Sequence, residues 1–435
     1  MVTLKVERKA PDAAGFVDVL CFLIPSLQFV QVHLIGTLNG ADVMMLLTFI
    51  GLALRRKLRL GTPLSRKFII YCSLWLISQC VTDVVKHTVF TDYARGWSAI
   101  GLTIVSFATL YSLLYGRPKR ILIYGWGLVV GSLLAYFINP TDYALDDAWK
   151  FGYSYPVTLA VILIACRKDV RGYLPSILLA GIGLVHFYMA FRNAGGLCLV
   201  VAAFIAFNRY MHQKGAGDYK LSFGRVALVL VVAITVVAGL SSAYQYAASS
   251  GMLGDEARVK FERQSSGELG VLVGARPELL SSIPAIIDSP LLGHGSWAKD
   301  PIYLLREEQA LAVMGYENAG YISPEELEEG RIPAHSHIFG SWVDAGLLGG
   351  VFWGWIWLLE AKVFLKHHPF VVKLMPLFAY SAISMLWDIL FSPYGGQVRI
   401  TDSFYIVLAM NYLNIATPSV VAQSSRKVVK KLKTA

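Results

Sequence analysis

The chain has 435 residues, of which 55% are hydrophobic and 16% are charged, with a mean hydropathy of +0.54 and a formal charge of +10. Soluble domains carry about 25% charged residues, so this composition excludes a disordered chain, a disulfide framework and an ordinary cytosolic enzyme. The apolar surplus indicates a surface that faces lipid, and the positive charge indicates either an anionic partner or a topology signal.

Apolar segments in chain order predict an all-α polytopic membrane protein with about twelve transmembrane helices. A span needs roughly 17–25 mainly apolar residues. No small-residue cleavage site follows the first apolar run, so we expect that run to remain as an uncleaved span. The predicted spans are 16–35, 40–54, 68–85, 97–115, 121–138, 152–166, 174–190, 195–210, 225–245, 338–360, 371–391 and 403–417.

The distribution of Lys and Arg predicts the orientation of these spans. Connections dense in positive charge, such as 55–59, 117–120 and 362–366, alternate with connections that have few basic residues. Dense loops mark the cytoplasmic side, and twelve spans with both termini inside fit the alternation. Most of the charge surplus therefore marks topology and meets anionic lipid. Nucleic acid is not expected, because the basic residues are scattered and no aromatic-interleaved patch is present.

One connection, 246–337, is far longer than the others and is predicted to lie outside the membrane. It separates an N-terminal bundle of about nine spans (1–245) from the C-terminal spans and basic tail (338–435). Loops of this length in a compact protein are usually functional. Segment 323–326 has the N-cap, proline and glutamate of a helix start, and 277–288 has an amphipathic pattern, so we expect a folded cap.

A first candidate for binding lies before the eighth span. Arg192 ends the run HFYMAFR, and the N-terminus of the following span would face outward. Free backbone N–H groups at that end, with Gly195 and Gly196, would let an anion approach closely, and the arginine would complete a phosphate site. The alternative is an arginine that extends to the lipid headgroups.

Two further candidates lie in the long outer loop. Arg276 is one of several loop arginines, and a solvated or salt-bridged role is its alternative. His335 lies where the loop enters the tenth span, beside a positive helix end that Ser336 could cap. That position favours a neutral imidazole, which a general base requires. His337 competes for the same role, and a polar histidine satisfied by backbone groups is the alternative for both.

Asp344 follows His335 by about two and a half helical turns on the predicted span. A carboxylate at membrane depth is costly, so we expect it to hold the packing of the bundle or to orient a partner. The sequence has no HExxH, CxxC or clustered carboxylate pattern, so neither a metal nor a cofactor is expected. The five cysteines lie in apolar runs and are interpreted as small buried hydrophobes.

Together these segments resemble the bacterial O-antigen ligase and Wzy-type polysaccharide polymerase superfamily. The family signature is a histidine, a hydrophobic stretch, an acidic residue and then Gly-x-x-Gly, and this spacing is matched by His335, Asp344, Gly346 and Gly349. Ser336 stands where the family usually has Asn.

Two other segments carry the same resemblance. Arg276 followed by PLLGHG at 290–295 is similar to the family's loop arginine and its Pro-Leu-x-Gly-x-Gly turn. Arg192 ahead of an apolar span is similar to a second family arginine, although Phe191 replaces the usual Ser. The number of spans and the single large outer loop before the histidine also look like this family.

The resemblance implies a GT-C-like fold and a metal-independent, inverting glycosyltransferase of the bacterial inner membrane. Such a protein takes a glycan from undecaprenyl pyrophosphate and passes it to an acceptor hydroxyl at the periplasmic face. Arg192 and Arg276 would bind the pyrophosphate, and His335 would deprotonate the acceptor, with Gly195, Gly196, His337 and Asp344 as further substrate-binding candidates.

Several alternatives stay open. A polymerase would use another lipid-linked repeat as acceptor, whereas a ligase would use lipid A-core, and the sequence leans only slightly to the polymerase. A transporter of a lipid or glycan is the alternative of another class, although no similarity between two halves is visible. An inactive scaffold for other polysaccharide-assembly proteins would keep the fold without these three basic residues.

Overall fold

The computed structural model describes residues 11–33, 36–167, 170, 172–213, 276–316, 322–365, 373–396 and 398–415, with scattered residues between 231 and 268. This part of the chain is all-helical apart from one short strand pair. A single π turn, Trp149–Tyr153, precedes α7. The helices are α1 (Pro11–Ser26), α2 (Gly40–Leu54), α3 (Pro63–Val85), α4 (Phe90–Leu114), α5 (Pro118–Ile138), α6 (Asp142–Asp146), α7 (Ser154–Ala165), α8 (Leu174–Tyr188), α9 (Arg192–Gln213), α10 (Leu279–Asp288), α11 (Pro301–Val313), α12 (Pro324–Glu329), α13 (His337–Ala345), α14 (Leu347–Leu365), α15 (Met375–Phe391) and α16 (Arg399–Ile415).

Among the described helices, α3, α4, α5, α9 and α14 are the five that are long and apolar enough to cross a membrane. Shorter apolar helices, including α2, α7, α8 and α15, accompany them. Large apolar side chains lie on the outer surface, for example Leu47, Ile70 and Ile77, each more than half exposed. Such surface suits contact with lipid, as in a multi-pass membrane protein. Most of the predicted ninth span, 225–245, lies outside the described residues. The described helices do not establish the predicted total of twelve spans.

The first predicted span, 16–35, is wrong in its second half. Helix α1 ends at Ser26, and after a 3₁₀ turn the chain forms the antiparallel strands β1 (Gln31–His33) and β2 (Thr37–Asn39). The run from Val30 to His33 alternates apolar and polar residues, which is the period of a strand rather than of a helix.

The tenth predicted span, 338–360, is wrong as a single regular helix. It consists of α13 and α14, which are separated by Gly346 with φ +70°. The start of α14 packs back on α13, because a Cβ on Gly349 would lie 2.2 Å from the Ser341 carbonyl oxygen. The Trp353 indole N–H also donates to the Ser341 hydroxyl at 2.8 Å. The Gly-x-x-Gly sequence therefore closes a helical hairpin.

Close helix contacts elsewhere in the bundle also depend on small residues. Helix α5 packs on α1 through Gly127 and Gly131, where an added Cβ would lie 2.4 and 2.2 Å from the carbonyl oxygens of Phe22 and Pro25. Small residues four apart allow two helix backbones to approach in this way. Four of the five cysteines are buried and all five are free, which confirms their interpretation as packing residues.

The cap, residues 276–336 in their described part, contains the helices α10, α11 and α12. Both helix predictions in this region are confirmed: α10 occupies the amphipathic segment, and α12 begins with the Ser323–Glu326 capping box. A small apolar core joins the cap to α13 and consists of Ala285, Ala298, Tyr303, Ile332 and Val343. The end of the bundle that carries this segment is called the cap end below.

Candidate functional site

Two sequence segments that were singled out separately are in direct contact. The loop 290–295 packs against the turn between α13 and α14, where His294 N–H donates to the Val343 carbonyl at 2.7 Å and Gly295 N–H donates to the Asp344 carbonyl at 3.0 Å. A Cβ on Gly293 (φ +77°) would lie 2.6 Å from the Gly346 nitrogen. Gly293 and Gly346 therefore allow two things: a positive φ at each position and a close approach between the two segments.

A buried carboxylate on α3 holds the same loop to the bundle. Asp83 is 3% exposed. Its Oδ1 accepts from the Ser296 backbone N–H at 2.6 Å, and its Oδ2 accepts from the Ser296 hydroxyl and from the Trp97 indole, each at 2.7 Å. All the donors are neutral and the acceptor is a carboxylate, so each bond is charge-assisted. Asp83 thus links α3, α4 and the cap.

The structure brings together Arg276 and His335, which are far apart in sequence. His335 Nδ1 lies 2.5 Å from Glu278 Oε1, and the His335 side chain is 51% exposed. The Arg276 guanidinium lies over the Phe391 ring at 5.5 Å, and its charge acts on Glu278. We refer to Arg276, Glu278 and His335 as the cap triad.

The electrostatics of the cap triad favour an ionised glutamate. Burial alone would raise the pKa of the Glu278 carboxyl, but the hydrogen bond and charge of His335 lower it more, and Arg276 adds to the lowering. The resulting pKa lies below the usual 4.5. Glu307 is close by, and burial raises the pKa of its carboxyl, with the Glu278 charge adding to the effect. The histidine therefore faces one carboxylate that is ionised and one carboxyl group whose charge is disfavoured.

Glu278 was missed by the sequence analysis. Its position two residues after Arg276 was the available signal, but a glutamate before an amphipathic helix is also an ordinary helix-start residue. Only the fold shows that the turn before α10 places its carboxylate against His335. The prediction that Ser336 caps the helix after His335 is confirmed, because its hydroxyl accepts from Phe339 N–H at 3.2 Å.

Arg192 is the first residue of α9, which begins three residues before the predicted eighth span, 195–210. The Trp149 indole, just before α7, donates to His186 near the end of α8, and Cys166 after α7 meets Leu377 at the start of α15. Helix α7 is therefore antiparallel to both α8 and α15. Because α15 ends beside the cap triad, α8 ends and α9 begins, with Arg192, at the cap end. Arg192 belongs to a different helix from the cap triad and to the same end of the bundle.

Gly195 is used for helix packing rather than left open for a ligand. A Cβ at this position would lie 2.5 Å from the Phe187 ring and 2.9 Å from the Gly183 carbonyl oxygen. Helices α8 and α9 therefore meet closely at Gly183 and Gly195. Gly196, its neighbour, is also buried. The predicted approach of an anion over these two glycines does not fit this packing, and we remove both from the candidate site.

His337 is a core residue. It is fully buried, its Nδ1 lies 2.6 Å from the Ser392 carbonyl oxygen, and its Nε2 lies 3.2 Å from Asp402 Oδ2. Its ring also packs edge-on against Trp353 with centroids 4.7 Å apart. Both ring nitrogens of His337 are hydrogen-bonded, so the predicted substrate contact does not fit. Because His337 is buried and the His335 side chain is half-exposed, His335 is the better candidate for the general base.

Asp344 lies at the end of α13 rather than deep on a regular span. Its Oδ1 accepts weakly from the Ala298 backbone N–H at 3.4 Å, and its main-chain carbonyl accepts from Gln79 at 3.3 Å as well as from the cap loop. The side chain lines a cavity beside the cap. Its predicted orienting role is consistent with these contacts.

Among the described residues, no group of three or more His, Cys, Asp or Glu is arranged to hold a metal ion. The independence of the chemistry from metal stays a prediction. Comparisons with protein-family models, with curated proteins and with solved structures find no match to this chain.

Proposed function

We propose that the chain is a membrane glycosyltransferase that transfers a glycan from undecaprenyl pyrophosphate to an acceptor hydroxyl. The membrane would be the bacterial inner membrane, with both termini cytoplasmic and the cap end in the periplasm. The reaction would be inverting and independent of metal. Support comes from three sources: the apolar helices, the resemblance of three sequence segments to the ligase and polymerase superfamily, and the geometry of the cap triad.

The observation that carries the proposal is the contact between Glu278 and His335. With Nδ1 hydrogen-bonded to the carboxylate, the imidazole has a fixed orientation and its Nε2 makes no hydrogen bond to the described residues. A nitrogen of this kind, on a half-exposed ring, can accept a proton from a hydroxyl group. The ionised carboxylate stabilises the imidazolium that forms, as in other carboxylate–histidine pairs.

The proposed step balances as a single displacement. The acceptor oxygen attacks the anomeric carbon while its proton passes to His335 Nε2. The bond between that carbon and the phosphate oxygen breaks, and its electron pair leaves with undecaprenyl pyrophosphate. Arg276 lies within the same cluster, where a guanidinium would stabilise the developing negative charge. Arg192, at the same end of the bundle, would bind the second phosphate.

A polymerase is the slightly favoured form of this activity, and a ligase acting on lipid A-core is the other. The test is reconstitution of the purified chain with undecaprenyl-pyrophosphate repeat units, with and without lipid A-core. A ladder of products without lipid A-core identifies a polymerase, whereas product only in its presence identifies a ligase. No transfer under either condition, from folded protein, contradicts the proposal and favours a transporter or a scaffold.

Replacing Glu278 with glutamine is expected to lower kcat about 10- to 100-fold, the usual cost of losing an orienting partner. Because its pKa is lowered, the wild-type carboxylate contributes stability above about pH 4.5, and this contribution is lost as the pH falls through the lower folded-state pKa. The wild-type advantage in melting temperature over Glu278→Gln should therefore shrink as the pH falls into the acid range. Glu328→Gln, an exposed change in α12, is the control. Equal activity of Glu278→Gln and wild type would show that the pair has no catalytic role.

A further inference from the structure

A second concave surface lies beside the cap triad. A cavity of about 860 Å³ opens between the β1–β2 hairpin, α3, α4, the cap and α13. This volume is in the range of small-molecule binding sites. Ala334 and Ser336 line it, whereas His335 between them is engaged by Glu278. The short segment that carries the candidate base therefore also forms a wall of this cavity.

A buried arginine in the cavity wall has unused hydrogen-bonding capacity. Arg399, at the start of α16, is 3% exposed, and its Nη2 lies 2.6 Å from Asp42 Oδ2. Its Nε is buried and makes no hydrogen bond. An unsatisfied donor on a buried cation is costly, so a ligand that accepts from it would recover energy.

A second arginine of the wall is held in place without an ion pair. The Arg331 guanidinium lies 4.0 Å from the centre of the Trp297 ring, and the Arg95 guanidinium lies 5.2 Å from the same ring. Arg331 makes no salt bridge within the described part of the chain, and its charge acts on the nearby Asp344. A cation fixed on an aromatic ring is already oriented for an anion.

The charges around the cavity leave a positive surplus in the wall. Three arginines line it, Arg95, Arg331 and Arg399, against one carboxylate, Asp344. Asp42 behind the wall offsets Arg399 in part, and Asp92 lies 3.8 Å from the Arg95 guanidinium and 2.8 Å from the Lys299 ammonium, so it offsets both. The surplus is small, so the cavity suits a ligand with one or two negative charges.

The remaining lining is mixed in a way that suits a sugar. Trp75, Trp297 and Tyr394 supply aromatic surface, and Gln79, Ser98 and Ser341 supply polar groups. Sugar rings offer apolar C–H faces to aromatic side chains and hydroxyl groups to amides and hydroxyls. An inorganic anion would use the arginines and make no contact that needs the aromatic surface of Trp75 and Tyr394.

We infer that this cavity binds an acidic sugar, one that carries a carboxylate or a phosphate group, with its charge at Arg331 and Arg399. This inference rests on the proposed function and assigns its substrate class. The glycan that occupies the cavity during transfer contains an acidic sugar. The site is separate from the cap triad, so binding can be measured without any transfer.

The test is isothermal titration calorimetry of the full chain in detergent at low ionic strength. The probes are digalacturonate, galactose 6-phosphate and neutral digalactoside. The inference predicts that at least one of the two acidic sugars binds about tenfold more tightly than the neutral one, and which of them does so identifies the acidic group. Arg331→Gln should weaken that binding about tenfold, and added salt should weaken it further. Equal binding of acidic and neutral probes, or an unchanged affinity in Arg331→Gln, overturns the inference.

Controls separate the possible failures. Arg306→Gln removes an exposed cap arginine that pairs with Asp288 at 2.9 Å and lies outside the cavity lining, so it should bind like wild type. The variant Arg399→Lys, if it folds, should also bind the acidic sugar more weakly than wild type. If that variant does not fold, the result for Arg331→Gln decides the test. Inorganic pyrophosphate that binds through Arg331 when neither acidic sugar binds would overturn the inference, because the cavity would then hold the donor. Acidic-sugar binding without any transfer contradicts only the proposed function, and transfer without such binding contradicts only the inference.

Discussion

His335→Ala is expected to lower kcat for glycan transfer by about 10²- to 10⁴-fold, the usual contribution of a positioned general base. The imidazole is half-exposed and its Nδ1 is already held by Glu278, so its removal leaves no other histidine in the cap triad to accept the proton. Binding of the donor should change little, since the pyrophosphate is assigned to arginines. The measurement is the steady-state rate of product formation by purified protein over a range of donor concentrations.

His87→Asn is the matched control for that experiment. His87 is an exposed histidine near the cap end, next to the loop around Gly295, and its φ of +54° is one that asparagine tolerates. This variant should keep the wild-type rate. A His335→Ala protein that is folded and transfers at the wild-type rate would remove the histidine from the mechanism and leave the fold description unchanged.

Asp83→Ala is expected to loosen the cap from the bundle and to destabilise the protein by about 3 kcal/mol, the scale of losing buried charge-assisted hydrogen bonds. The substitution leaves the Ser296 N–H and hydroxyl and the Trp97 indole without their carboxylate acceptor. Because the cap supplies the loop that contacts α13, transfer should also fall. Hydrogen–deuterium exchange should rise first in residues 289–300, before any change in α14.

Asp146→Ala, at an exposed carboxylate that ends α6, is the control for Asp83→Ala and should leave exchange in the cap unchanged. Asp83→Asn is an intermediate case, since the amide oxygen can still accept one of the hydrogen bonds. Unchanged exchange in 289–300 for Asp83→Ala would mean that the small apolar core around Tyr303 and Val343 holds the cap without help from the carboxylate.

Hydropathy predicted most helices because a long apolar run has few other stable structures in lipid. Helix α2 has the predicted limits, 40–54, and α12 begins at the predicted capping box. Two failures share a cause: 16–35 and 338–360 are apolar enough for one span each, but a strand-like alternation and the break at Gly346 divide them. Average hydropathy reports how well a segment suits an apolar environment, and it does not detect a positive φ at a single glycine such as Gly346.

The candidate site was predictable in part. Arg276 and His335 were identified by residue type and motif, and their meeting depends on the fold of the cap. Glu278, which contacts His335, belongs to no recognisable sequence motif. The burial of His337 depends on contacts with Asp402 and Ser392, which lie in other segments of the chain. Arg399 stands in a connection with few basic residues, and its place in a cavity depends on its ion pair with Asp42 of α2 and on the contact of Gly396 with Thr37 of β2.

The most direct test of the proposed chemistry is ³¹P NMR of the donor mixed with purified protein and acceptor. Cleavage of the bond between the anomeric carbon and the phosphate oxygen converts a glycosylated pyrophosphate into free undecaprenyl pyrophosphate, and the two have different phosphorus spectra. The proposed mechanism predicts this conversion for wild-type protein, a rate that depends on acceptor, and almost none for His335→Ala. An unchanged donor spectrum with folded wild-type protein, or the same conversion rate with His335→Ala, would contradict it.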